Sequence, residues 1–146
     1  MGRTLAKLFL LCGGISLGVG CQCLLGLMVQ SSPHDYESAH AKAVKQGKPL
    51  AVFVTASWCP PCQRLKKNVI PKLKADGVFD NVALAMVDVD KRPELARKLM
   101  AGKKGVPQFV IFHKRDGGSG WRRLTVSKVS SKTISKAIKS VGVSRP

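Results

Sequence analysis

Acidic residues are scarce in this chain: eight Asp and Glu stand against twenty-five Lys and Arg among 146 residues, a formal net charge of +17. Aromatic residues are scarce too, at 5%, and beyond residue 30 the cationic residues are spread from Lys42 to Arg145 instead of being gathered around stacking side chains. That combination argues against nucleic acid as a partner. It suits anionic lipid head groups or an acidic partner protein. Cysteine is nearly absent from the greater part of the chain, since beyond residue 30 only Cys59 and Cys62 occur. Two closely spaced cysteines cannot build a structural disulfide framework, which leaves a catalytic or metal-binding pair. No internal repeat is visible.

Charge of either sign is missing from Leu8 to Val29, twenty-two residues in which Ser16 and Gln22 are the only polar side chains. A bilayer core takes about 20 apolar residues to cross. Arg3 and Lys7 precede the run and no acid does, so the positive-inside rule places the amino terminus in the cytoplasm and the rest of the chain outside. Gly18-Val-Gly20 followed by Cys21 also offers a small-residue cleavage site or a lipoprotein-type processing site, giving a secreted or lipid-anchored form. The apolar run continues beyond that site to Val29, and its length favours an uncleaved anchor. All three readings deliver the remainder of the chain to the extracytoplasmic, periplasmic side. Gly14 and Gly18 have the spacing that lets spanning helices pair. Cys12, Cys21 and Cys23 read as small apolar side chains, with no His or acid beside them to complete a metal site. The chain therefore divides into an anchor or signal segment, residues 1–30, and one domain, residues 31–146, carrying all eight acids and twenty-three of the cations for a net +15.

Within that domain Ser32-Pro33-His34-Asp35 has the form of a helix start, with Ser32 as cap and Asp35 inside the first turn. Tyr36, Ala39, Ala43 and Val44 come next at helical spacing, and Gly47 suits the end. Leu50 to Thr55 predicts a strand buried on both faces. From Cys59 a second helix turns Leu65, Val69 and Leu73 inward, with Pro71 expected to end or bend it. Val82 to Val87 predicts a second buried strand. Pro93 opens a third helix through Met100, closed near Gly102. Phe109 to Phe112 is a third strand, Asp116 to Gly120 a turn, and Trp121 to Val126 an antiparallel return. Ile134, Ala137, Ile138 and Val141 make the stripe of a last helix. This order predicts an α/β fold, a mixed four-stranded sheet flanked by helices, with a right-handed crossover between its first two, parallel strands.

Trp58-Cys-Pro-Pro-Cys62 stands where the first strand gives way to the second helix. Cys59 is thereby placed at a helix N-terminus, where unpaired N–H groups and the helix dipole favour a thiolate. Cys62, one turn on, is near enough to close a disulfide with it. Such a pair can pass between dithiol and disulfide by exchange with sulfurs of other proteins. The alternative is a metal-handling or assembly protein that uses the two thiolates as ligands for a soft metal such as copper(I); His34, His40 and His113 have no fixed spacing to the pair.

A Trp-Cys-Pro-Pro-Cys run after a buried strand, with Val106-Pro107 entering a later strand, resembles the thioredoxin superfamily over about residues 35 to 141. The Gly47-Lys-Pro49 that opens the strand is similar to membrane-associated members, such as the carboxy-terminal domain of the DsbD-type thiol reductases, with extracytoplasmic reductases of the TlpA and ResA type as neighbours. The resemblance implies a thioredoxin-like fold and a protein-disulfide reductase that needs no cofactor and draws on a membrane electron donor. It makes Cys59 the attacking thiolate, Cys62 the resolving cysteine and Pro107 the cis-proline. Val106 would offer its backbone to the substrate strand, and Trp58 would shield the rim. One departure stands out: thioredoxin proper buries an Asp six residues before the first cysteine, and this chain has Phe53 there. Pro60 and Pro61 carry no N–H to stabilise a Cys59 thiolate, which leans the pair towards a reductant.

Overall fold

The apolar run Leu50–Thr55 is the strand around which the domain is arranged. It forms β1, buried along its whole length, because it has a partner on each edge. β2 (Ala83–Asp88) pairs with it in parallel, and β3 (Gln108–Lys114) pairs antiparallel on the other side. β4 (Trp121–Val126) closes the sheet antiparallel to β3, giving the order β2-β1-β3-β4. The α/β class and the mixed four-stranded sheet are therefore as the sequence predicts. The computed structural model describes residues 34–114, 120–126 and 128–141. The anchor or signal segment, the Ser32-Pro33 helix start and most of the Asp116–Gly120 turn lie outside the described residues. Among the described residues no helix is long and apolar enough to cross a membrane.

Strand alternation sorts the core into two layers. Ala51 and Phe53 share one cluster with Cys59, Cys62, Leu65, Ile70 and Phe109, and the last helix, α5 (Ser131–Ser140), adds Ile134 and Ile138. Leu50, Val52 and Val54 belong to the other cluster, with α1 (Tyr36–Gln46) and α4 (Pro93–Met100) contributing Ala43, Ala96 and Leu99. Helices thus cover both faces.

Three local expectations are corrected. Asp35 is itself the N-cap of α1, its carboxylate accepting from the Ser38 N–H at 3.4 Å, and not a residue of the first turn. Its backbone is extended and its short carboxylate reaches the third amide, which is the geometry a cap needs. Val44, expected on the inner stripe, is exposed. The helix after Cys59 also runs on past Pro71. It starts as α2 (Pro60–Arg64), widens into a π-helical turn over Leu65–Val69 and resumes as α3 (Ile70–Ala75). Pro71 has no N–H for an α-type bond and its ring would crowd the carbonyl four residues back. In the wide turn the Ile70 N–H bonds Leu65 O instead, which makes room for the ring. The inserted residue turns the helix face, so Ile70 is fully packed while Val69 is only partly buried.

His34 sits just before α1, its carbonyl accepting from the Met86 N–H of β2 at 2.9 Å. Burial pushes its imidazole below the ordinary value of 6.5, and the Lys74 ammonium, 3.3 Å from Nε2, adds to the shift. The folded chain resists this protonation more than the unfolded chain does. Stability is therefore complete above about pH 6.5 and declines as pH falls towards the lowered folded value. Denaturant unfolding from about pH 7 to 5 should show that decline in the wild-type chain and a flatter profile in His34→Gln; equal slopes would sink the assignment.

Candidate active site

At the end of β1, Ala56-Ser57-Trp58 carries the chain over the sheet edge to Cys59, the N-cap of α2. Pro60 and Pro61 occupy the first helical positions, where a missing N–H costs nothing because no helix carbonyl is available to it. Cys59 and Cys62 form a disulfide, their Cα atoms 5.2 Å apart. The Cys62 N–H donates to Cys59 Sγ at 3.3 Å. Cys59 is 4% exposed and Cys62 fully buried, so an incoming sulfur meets Cys59 first.

Val106–Pro107 is a cis peptide, and it enters β3 directly opposite. The Val106 carbonyl oxygen lies 3.7 Å from Cys59 Sγ, although the two residues are far apart in sequence. Trp58 stands at the rim, 66% exposed. All five residues singled out from the sequence are thus gathered at one end of the sheet.

Beneath the disulfide the floor is apolar. Phe53 is fully buried, and its register partners are Met86 on β2 and Phe109 on β3. No carboxylate among the described residues replaces the one that thioredoxin proper keeps here. Asp88 pairs with Thr55 at the strand ends and accepts from the Asp90 N–H at 3.0 Å, so it caps a turn. Thr55 Oγ1 is buried with no hydrogen-bond partner among the described residues.

Two glutamines, unmarked in the sequence, hold the site together. Gln63 Nε2 donates to the carbonyls of Ala56 and Ser57 at 3.1 and 3.0 Å, tying the approach to Cys59 back to the helix. Gln108 Nε2 donates to the carbonyls of Lys103 and Gly105 at 3.3 and 2.8 Å and secures the turn before the cis-proline. Their only sequence signal is an amide next to each motif. The histidines are engaged elsewhere: His34 meets Lys74, His40 stacks on Tyr36 at 5.8 Å, and His113 Nδ1 is 3.2 Å from Lys114 O. Among the described residues no group of three or more His, Cys, Asp or Glu is placed to hold a metal ion.

Residues 30–114 match a family model described as thioredoxin-like. A thioredoxin of Aspergillus fumigatus is 30% identical over 101 residues, 68% of this chain and 84% of that protein. The bifunctional thioredoxin reductase/thioredoxin of Mycobacterium leprae is 31% identical over 93 residues, 62% of this chain but 18% of that protein. Several curated relatives are matched over less than two thirds of their own length, with shares of 18%, 48% and 64%. The solution structure of a thioredoxin from Thermus thermophilus has the same fold, with a TM-score of 0.61 at 24% identity over 75% of this chain and 85% of that one. The matched stretch takes in the disulfide, its helix and the strand entered through the cis-proline, and sequence and fold agree: this chain belongs to the thioredoxin-like family.

Proposed function

We propose that this chain is an extracytoplasmic thiol–disulfide oxidoreductase that reduces disulfides in other proteins and is held at a membrane by residues 8–29. The observation that carries the redox reading is the Cys59–Cys62 disulfide at a helix N-terminus, with Cys59 Sγ beside the Val106 carbonyl at the cis-proline. The uncharged run behind Arg3 and Lys7 supports the membrane placement.

In the reduced chain the Cys59 thiolate attacks one sulfur of a substrate disulfide. A Cys59–substrate bond forms, the substrate S–S bond breaks, and the departing sulfur takes up a proton from water. Cys62 then loses its proton and attacks Cys59 Sγ, restoring the intramolecular disulfide and releasing the second substrate thiolate. Two electrons pass from the dithiol to the substrate, and a dithiol donor, which we place at the membrane, returns them. Trp58 and the Val106-Pro107 backbone form the surface on which an extended substrate segment lies. With Phe53 below the sulfurs, the Cys62 proton leaves to water, not to a buried carboxylate.

Three features support the reducing direction. Pro60 and Pro61 have no N–H, so among the described residues the Cys62 amide is the one backbone donor to Cys59 Sγ. The Val106 carbonyl turns the negative end of its dipole to the same sulfur. Cys59 as a whole is also only 4% exposed. Each disfavours the thiolate, and a couple whose reduced form is less stabilised is less oxidising.

In a Cys62→Ser chain the second step is blocked, so Cys59 should remain joined to its substrates. Non-reducing gels of such cells should show adducts that dithiothreitol releases. A complete lack of adducts, with Cys59 open to alkylation, would count against the mechanism.

A further inference from the structure

The turn between α4 and β3 is held in one shape. Ala101, Gly102 and Gly105 have φ of 45°, 78° and 86°, the Lys103 N–H bonds Met100 O at 3.1 Å, and Gln108, only 7% exposed, clamps the turn from inside through the carbonyls of Lys103 and Gly105. The Lys103 and Lys104 residues are left exposed. With Val106, Pro107, Thr125 and Val126 they line a cleft of about 290 Å³ that no acidic residue enters among the described residues. One of the residues that line it, Val106, has its carbonyl oxygen 3.7 Å from Cys59 Sγ.

The charge of the chain is lopsided along the sequence. After Glu94 the sequence holds thirteen Lys and Arg and one acid, Asp116. Asp88 and Asp90 belong to the β2 side, the opposite edge of the sheet from β4. A segment that lies across Val106 towards β4 would pass Lys103 and Lys104, which share the cleft with Thr125 and Val126. We propose that the Lys103–Lys104 turn is a cationic lip that selects disulfides carried in acidic segments of substrate proteins, an inference that rests on the disulfide-exchange reading above. Exposed charges act mainly on encounter: they speed association of an opposite partner by about 10-fold or more and lose that effect as salt shortens their reach below about 10 Å. The preference thus belongs to kcat/KM at low salt.

The test uses the reduced full-length chain and synthetic peptides that carry one disulfide flanked by aspartates, serines or lysines. The expected result is a kcat/KM for the aspartate peptide about 10-fold above that for the lysine peptide, shrinking at high salt. Lys103→Glu with Lys104→Glu should erase or invert the order. Lys42→Glu with Lys45→Glu, the same change of net charge on α1, should leave it in place, and reduction of each variant's own disulfide by dithiothreitol checks that the site is intact. Equal rates on all three peptides, or equal effects of the two double variants, would overturn the lip while leaving disulfide exchange standing. No reduction of any peptide would instead remove the exchange reading and the lip with it. If charge reversal at Lys103 and Lys104 abolished binding to phosphatidylserine vesicles without changing peptide preference, the turn would face lipid and the inference would fall.

Discussion

Phe53→Ala should lower the unfolding free energy by about 3–5 kcal/mol, the range for emptying a buried phenyl site. Phe53 is fully buried at the centre of β1, between Met86 of β2 and Phe109 of β3, in the cluster that also contains both cysteines. β1 is paired along this stretch with β2 on one edge and β3 on the other, so the site has little freedom to collapse and most of the cavity should persist. Denaturant titration followed by circular dichroism measures the loss; a change below about 1 kcal/mol would mean that Phe53 does not support the floor. Phe53→Asp is the sharper companion. Its carboxyl would stand among apolar partners without a cation, and desolvation would hold it above its ordinary value. A raised folded value makes this contribution largest below the unfolded value of about 3.9 and steadily worse as pH rises. The variant should therefore be weakest at neutral and alkaline pH, unlike the wild-type chain, whose His34 acts in the opposite sense.

Cys59→Ser should reduce disulfide exchange by at least ~10³-fold, because a hydroxyl is almost entirely protonated at neutral pH and is a far weaker nucleophile towards sulfur than a thiolate. The two cysteines are not equivalent. Cys59 opens the helix and borders the Val106 carbonyl, while Cys62 is sealed beneath it and can reach little besides Cys59. Cys59→Ser should therefore lose both turnover and mixed-disulfide formation, whereas Cys62→Ser keeps the first step and loses release. Single-turnover reduction of a disulfide peptide, followed by mass spectrometry of the adduct, separates the two cases. Adducts formed through Cys62 in the Cys59→Ser chain would reverse the assigned roles.

Much of this site can be read along the chain because its parts are local. The strand Leu50–Thr55, the Trp-Cys-Pro-Pro-Cys turn, the helix behind it and the X-Pro bond at Val106–Pro107 each depend on a few neighbouring residues: alternation or continuity of apolar side chains, prolines where a missing N–H is harmless, and the one residue type that tolerates a cis peptide. Where local signals compete, the reading slips. Ser32 and Asp35 both have cap chemistry, and only the backbone of Asp35 in its folded setting shows which residue caps α1. Pro71 announces a disturbance in the helix, but whether the chain stops, kinks or widens depends on how Leu65, Ile70 and Leu73 pack on the sheet.

The chemistry available to the protein is written along the chain: a CxxC pair at a helix start, an apolar residue where a carboxylate would assist it, and a strongly cationic second half. Folding settles what that chemistry faces. Cys59 and Val106, separated by 47 positions, meet because β1 and β3 pair side by side. Phe53 becomes the floor of the site because β2 and β3 enclose β1, and Lys103 and Lys104 come to share a cleft with Val106 in a turn that Gln108 pins through its carbonyls. The division follows from the reach of the forces involved. Caps, turns and periodicity act over a few residues, while sheet pairing and core packing join segments that lie far apart along the chain.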